Sequence, residues 1–179
     1  MWLLPPAGWR MLDRSFTFMG RARDHRRAAI SPDGQRIRLV CAGDDTSVRR
    51  ILHLAVSALR RMGIAPQACG NAEIVLAEVL NNVVEHAYAD HGRGVIEIEI
   101  ERRRDVLDVH VRDDGRPMPR GEIPLGRPHD LDVPPHALPE GGFGWLLVRE
   151  LTETLEYHRS ANRNELHFCL ALTATNRIN

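Results

Sequence analysis

The stretch AEVLNNVVEHAY, residues 77–88, has the spacing of an amphipathic helix with a crowded polar side. At about 100° per residue, Glu78, Asn82, Glu85 and His86 fall within roughly a third of a circle, while Leu76, Val79, Leu80, Val83, Val84 and Ala87 cover much of the rest. A lone Glu and Asn four apart are ordinary on a solvated helix face. A stripe that continues for a further turn with a second carboxylate and an imidazole asks what else in the chain could meet it.

Working outward, the helix starts near Gln67 and is closed by Gly92 and Gly94. Before it, QRIRLVCA (residues 35–42) alternates as a strand, and GDDTSVRRILHLAVSALRRMG supplies a capping Asp or Thr, helical periodicity and a closing Gly63. After it, VIEIEIERR (95–103) and DVLDVHVRDD (105–114) alternate strictly on either side of a short charged turn, the pattern of an antiparallel hairpin with one apolar face. Residues 115–140 are proline-rich and aperiodic, too long for a passive connector in a compact domain. A short helix from Trp145 to about Leu151 and a closing hairpin, TLEYHRS and NELHFCLAL, complete the core. The order β-α-α-β-β-loop-α-β-β predicts an α+β fold: a two-layer sandwich with a mixed, mostly antiparallel sheet and helices on one face.

The domain is expected to run over residues 35–172, with a seven-residue tail after it and an arginine-rich extension, 1–34, before it. That extension is either a solvated, partly ordered tail or an arm that binds a partner or caps a dimer. The opening MWLLPPAGWR is short and broken by prolines, and no apolar run approaches the roughly 18 residues that span a bilayer. A soluble, cytoplasmic protein is expected. Cys41, Cys69 and Cys169 form no CxxC pair and suit free thiols that serve as small hydrophobes.

Charge is balanced at 24 basic and 24 acidic residues, so the net field argues for neither nucleic acid nor an anionic membrane as main partner. None of the basic residues is lysine. That excludes a Walker A loop, a protein kinase of the common fold and imine catalysis, each of which needs an amine that arginine does not replace.

Two further motifs bear on the stripe. In VRDDGRPMP, Asp113 and Gly115 stand at a strand end, where a carboxylate can accept from an exocyclic amine and glycine lets another group come close. In EGGFGW, Gly141, Gly142 and Gly144 open a helix, whose free amides and positive dipole end can hold phosphate oxygens without lysine. Each alone is weak. Arg116, Arg120 and Arg127 are candidate phosphate contacts, though solvated loop arginines would look the same. His129, Asp130, Asp132 and His136 lie together in the long loop, but their spacing fits no standard ligand set.

Taken in this order, the motifs resemble the N, G1 and G2 boxes of the GHKL (Bergerat) ATPases over residues 35–172. EVLNNVVEHAY and GGFGWLLVRELTETLEYHR are similar to those of the stand-alone anti-sigma-factor serine kinases of the RsbW and SpoIIAB type. Histidine kinases share the boxes but add a helical dimerisation domain not seen in this sequence. The resemblance implies that Asn82 coordinates Mg²⁺, that Glu78 is the catalytic base, that Asp113 binds the adenine amino group, that Gly115 gives the base room, and that Gly142 and Gly144 cradle the phosphates of ATP. It makes the segment 116–141 a lid. It further implies partner switching, in which a homodimer sequesters a sigma factor and phosphorylates a STAS-domain antagonist on Ser or Thr. A binding module that uses nucleotide only as a switch is the alternative, as is a regulator of another target such as a phosphorelay protein. DDGRP is a shortened G1 box: Arg116 and Pro117 stand where many relatives have a second glycine.

Overall fold

The structure, a computed structural model, describes residues 6–12, 27–89, 94–125 and 143–173. Its elements are β1 (Arg10–Met11), β2 (Arg27–Ile30), β3 (Arg36–Ala42), α1 (Asp45–Arg61), α2 (Pro66–Asn82), β4 (Val95–Arg103), β5 (Val106–Asp113), α3 (Phe143–Leu151), β6 (Thr154–Ser160) and β7 (Arg163–Ala171). The strands form one seven-stranded sheet in the order β1-β2-β3-β4-β5-β7-β6, with every neighbour antiparallel.

Strand alternation sorts the two faces. Ile96, Ile98 and Ile100 of β4, Leu107, Val109 and Val111 of β5, and Leu166, Phe168 and Leu170 of β7 are buried together with Ile51, Leu59, Leu76 and Leu80 of the helices. The intervening residues form a charged face, where Arg38 pairs with Glu99, Arg36 with Glu101 and Arg112 with Glu165. This is the sandwich expected from the sequence, with α2 packed between α1 and α3. Two stretches of the arginine-rich N-terminal region, β1 and β2, extend the sheet beyond the expected first strand, Ala28, Ala29 and Ile30 being buried. RAAI is too short for a period to show in sequence; tertiary pairing with β3 makes it a strand.

Local signals act as the sequence suggests. Asp44 caps α1, its carboxylate accepting from the Ser47 amide at 2.9 Å and the Ser47 hydroxyl at 2.7 Å. Gly63, at φ +74°, ends it in the left-handed conformation that glycine adopts without a Cβ penalty. Pro66 opens α2, where a missing N–H costs nothing.

The second helix departs from expectation at its end. The α-helical pattern stops at Asn82, and residues Val83–Ala87 form a π-helical turn. Such turns are uncommon and often mark functional sites. The wider turn alters the phase assumed from 100° per residue, and leaves Glu85 and His86 exposed. Tyr88 then closes the turn. It is buried, its hydroxyl lies 2.6 Å from Asp114 Oδ1 and 3.0 Å from the Val95 carbonyl, and it accepts from the Asp114 amide at 3.2 Å. The ring fills the space beside Gly43 and Gly94: a methyl group at Gly94 would lie 1.9 Å from the ring. Gly94→Ala is therefore expected to destabilise the fold by about 1–3 kcal/mol, the usual cost of overpacking a rigid neighbour, measurable as a lower urea midpoint with unchanged slope. An unchanged midpoint would show that the ring moves freely.

Candidate functional site

A cavity of about 610 Å³ opens between the end of α2, the end of β5 and the start of β7. That volume suits a nucleotide-sized ligand, since small-molecule sites commonly hold about 300–1,000 Å³. Its walls include Asn82, Asp113, Met118, Trp145, Tyr157 and Asn164.

Asn82 is the last α-helical residue before the π turn. Its Nδ2 donates to the Glu78 carbonyl at 2.7 Å, which fixes the amide plane and turns Oδ1 away as an available acceptor. Glu78, one turn earlier, is half-buried. Gly144, in the first turn of α3, sits against it: a Cβ there would lie 2.3 Å from Glu78 Oε2 and 3.8 Å from Asn82 Nδ2. The structure thus brings Glu78, Asn82 and Gly144 together, although only Asn82 of the three lines the cavity. Gly142 and the remainder of the glycine run lie outside the described residues, as do His129, Asp130, Asp132 and His136.

Asp113 is 7% exposed and stands at the carboxyl end of β5. Its Oδ1 accepts from the Gly115 amide at 2.9 Å and from Asn164 Nδ2 at 2.8 Å. Among the described residues Oδ2 takes no bond, and it remains for a donor entering the cavity. Burial pushes the carboxyl pKa above its ordinary 3.8, against the opposing pull of the Asn164 and Gly115 donors. Gly115 is hemmed in by backbone, since a Cβ would meet Ala87 Cβ at 2.6 Å and the Ala87 carbonyl oxygen at 2.7 Å. The next amide, that of Arg116, donates to that same carbonyl at 3.0 Å. Glycine at 115 is what allows the strand end to dock on the π turn.

Sequence reading missed the shell behind Asp113. Asn164 is its partner across β5 and β7. Its amide also donates to the Arg116 carbonyl at 2.9 Å, and its Oδ1 accepts from the Tyr157 hydroxyl at 2.7 Å and from Arg159. Tyr157 accepts from the Met118 amide at 3.2 Å, so the closing hairpin holds the start of the long loop. Arg149 of α3 grips the same segment further on, donating to the carbonyls of Ile123 at 3.0 Å and Pro124 at 3.2 Å. The first part of the proline-rich stretch is thus tied to the sheet and to α3. No motif announces these residues; their contacts follow from β7 lying beside β5.

A buried carboxylate at a strand end, an oriented amide oxygen on the facing helix and a nucleotide-sized cavity between them define a domain of the GHKL type. Residues 41–170 match the family described as Histidine kinase-like ATPase domain, and the chain belongs to that family. It is 28% identical over 97 residues to the serine-protein kinase RsbW of Oceanobacillus iheyensis, a match covering 54% of this chain and 61% of that protein. The RsbW of Bacillus cereus is 31% identical over 98 residues, covering 54% and 60%. A blue-light-activated histidine kinase 2 from Erythrobacter litoralis is 32% identical over 90 residues, covering 50% of this chain and 22% of that one. The chain thus spans about three-fifths of the length of the RsbW relatives. The fold is that of the crystal structure of the RsbU and RsbW domains of a Mycobacterium tuberculosis protein, with a TM-score of 0.52 at 14% identity over 75% of this chain and 32% of the other. No helix among the described residues is long and apolar enough to cross a membrane.

The direction of the Asp113 shift has a measurable sign. A carboxyl whose folded pKa is raised keeps its proton to higher pH in the folded chain than in the unfolded one, so ionisation costs stability. That cost is absent below the ordinary value and fully present above the raised one. Asp113→Asn keeps an oxygen for the Gly115 and Asn164 donors and removes the charge. Its unfolding free energy relative to the parent is expected to improve as pH rises from about 3 to about 7, across the carboxylate range. Urea unfolding at several pH values checks this, and a difference independent of pH would count against burial as the cause.

Proposed function

We propose that this chain is an ATP-dependent serine/threonine protein kinase and anti-sigma factor that phosphorylates a STAS-domain anti-sigma factor antagonist. The observation that supports this most is the meeting of Glu78, Asn82 and Gly144 at the helix end, with Asp113 across the cavity. The RsbW relatives, named serine-protein kinases, support the same reading at modest identity. In this reading the chain works as a cytoplasmic homodimer, binds a sigma factor, and releases the antagonist once it is phosphorylated.

The residues fit an adenine nucleotide loaded with Mg²⁺. Asp113 Oδ2, unpartnered among the described residues, accepts from the adenine amino group, while Gly115 keeps the strand end clear of a Cβ. The amide oxygen of Asn82 is a hard ligand of the kind magnesium prefers, and its geometry is set in advance by the bond from Nδ2 to Glu78. Magnesium, when bound with ATP, supplies charge neutralisation on the phosphates. Gly144, with Gly142, lets the backbone amides of the α3 start approach phosphate oxygens in a chain that has no lysine for the purpose. Glu78 takes the proton from an incoming serine or threonine hydroxyl as its oxygen bonds the γ-phosphorus and ADP leaves. Residues 116–141 act as the lid, hinged on the segment that Tyr157 and Arg149 hold.

The test mixes the chain with Mg-ATP and a STAS-domain antagonist and reads phosphoserine or phosphothreonine. Glu78→Gln should bind ATP as the parent does but transfer phosphate about 100-fold more slowly, a usual loss for a general base. Parental rates in that variant would remove Glu78 from the chemistry. Asn82→Ala should lose the magnesium-dependent part of nucleotide affinity in calorimetry, and equal affinity with and without magnesium in the parent would refute the assigned ligand. ATP binding with no transfer to any partner would favour a nucleotide-switched binding module.

A further inference from the structure

The charged face of the sheet, opposite the helices, holds a second cluster that the nucleotide cavity does not use. The β5 and β7 register places His110 opposite His167 and Asp108 opposite Cys169. Asp108 is 6% exposed, on a face whose other carboxylates are far more open to solvent. One of its oxygens, Oδ2, is paired with Arg103 at 2.8 Å. The other, Oδ1, is fully enclosed and accepts no well-aligned hydrogen bond among the described residues. Two imidazole nitrogens nonetheless converge on it, His110 Nε2 at 3.1 Å and His167 Nε2 at 3.3 Å.

An enclosed carboxylate oxygen needs a donor or a cation to offset its lost hydration. In a solvated salt-bridge ladder each carboxylate oxygen stays in water, whereas here two imidazole nitrogens meet on one enclosed oxygen. We propose that Asp108, His110 and His167 form a zinc site. The three donor atoms lie within 4.8 Å of one another. Zinc bonds of about 2.0–2.1 Å in a tetrahedron set neighbouring donors about 3.3 Å apart, close to both observed nitrogen-oxygen separations. His110 has the outer contact of a ligating histidine, whose second nitrogen is commonly held by a carboxylate. His110 Nδ1 lies 2.8 Å from Glu165 Oε1, and His167 Nδ1 lies 3.6 Å from Glu156 Oε2. The first contact holds His110 with Nε2 toward Asp108, while the second is longer than a hydrogen bond.

The two rings are stacked, with centroids 4.5 Å apart and planes 21° from parallel. Binding requires the side chains to rotate so that both lone pairs meet one ion. Cys169 lies alongside, its Sγ 3.9 Å from His167 Nε2. Imidazole and carboxylate together select a borderline ion such as zinc over magnesium or calcium, which take oxygen. The site is thus chemically separate from any magnesium at Asn82.

Calorimetry on the chelator-stripped chain, titrated with zinc chloride without nucleotide, tests this. One ion per chain is expected, with His110→Gln and His167→Gln each binding at least 100-fold more weakly. Glu165→Gln should weaken binding about 10–100-fold, as loss of an outer partner does. Asn82→Ala and a His129→Ala, His136→Ala double variant should bind zinc as the parent does. Zinc-edge X-ray absorption on the parent adds a readout that needs no variant, two imidazole shells being expected. The proposal is overturned if the parent takes up no zinc, if both glutamine variants bind like the parent, if the double variant abolishes uptake, or if the absorption spectrum lacks imidazole scattering.

Discussion

The geometry of the site depends on how the end of α2 is fastened. The helix that carries Asn82 must meet the strand that carries Asp113, and backbone alone does not hold a helix terminus to the end of a sheet. Tyr88 makes that joint. Its hydroxyl engages Asp114 and the Val95 carbonyl, and its ring fills the volume that Gly43 and Gly94 leave open. Burial and the Asp114 carboxylate beside it both raise the phenol pKa, so it stays a neutral hydroxyl able to donate and accept. The π turn between Asn82 and Tyr88 takes up the offset between helix phase and anchor position. Glu78 and Asn82 thus stay on regular helix while the chain after them reaches the anchor.

A second constraint sits on the strand side. Asp113 is buried as a carboxylate against its own desolvation cost, and Asn164 makes this tolerable by committing its whole amide to the neighbourhood. Its nitrogen serves Asp113 and Arg116, and its oxygen takes Tyr157 and Arg159. A network in which every partner is satisfied is rigid, because each bond removed strands another group. The unpartnered oxygen of Asp113 is therefore held in place before any ligand arrives. Stability is given up at that one atom, and a site that recognises a donor needs a bare acceptor there.

Periodicity made the sandwich legible. VIEIEIERR and DVLDVHVRDD declare a hairpin because alternation over so many residues has no helical reading, and their observed bounds lie within a residue or so of those expected. Asn82, Asp113, Gly115 and Gly144 stand out in the sequence because they lie in motifs, and the structure puts Asn82 and Asp113 on one cavity and Gly144 against Glu78. Asn164, Tyr157 and Arg149 were not, since their roles exist only after β7 has inserted beside β5 and α3 has packed against the loop. Nothing in NELHFCLAL says which strand it will join. RAAI was invisible for the same reason, and the π turn because a hydrophobic count at a fixed angle cannot register a change of pitch.

The same insertion decides the character of both sheet faces. Once β7 lies beside β5, Val109 meets Phe168 in the core, while the residues between them on each strand are forced outward, so His110 must face His167. A slip of one residue would exchange the faces and bury imidazoles against α2, which the apolar helix stripe forbids. The core therefore fixes the register, and the register fixes the histidine pair without any separate demand on the outer face. Asp108 differs because it is enclosed where its neighbours are not, and Arg103 from the β4 end satisfies only one of its oxygens. At the far end of the same strand pair, Asp113 and Asn164 form the wall of the cavity. Two carboxylates on β5, Asp108 and Asp113, thus each have one oxygen bonded and, among the described residues, one without a well-aligned hydrogen bond, and their surroundings tell them apart. The one beside a cavity and an oriented amide is suited to a donor from a ligand, and the one beneath two imidazoles to a cation.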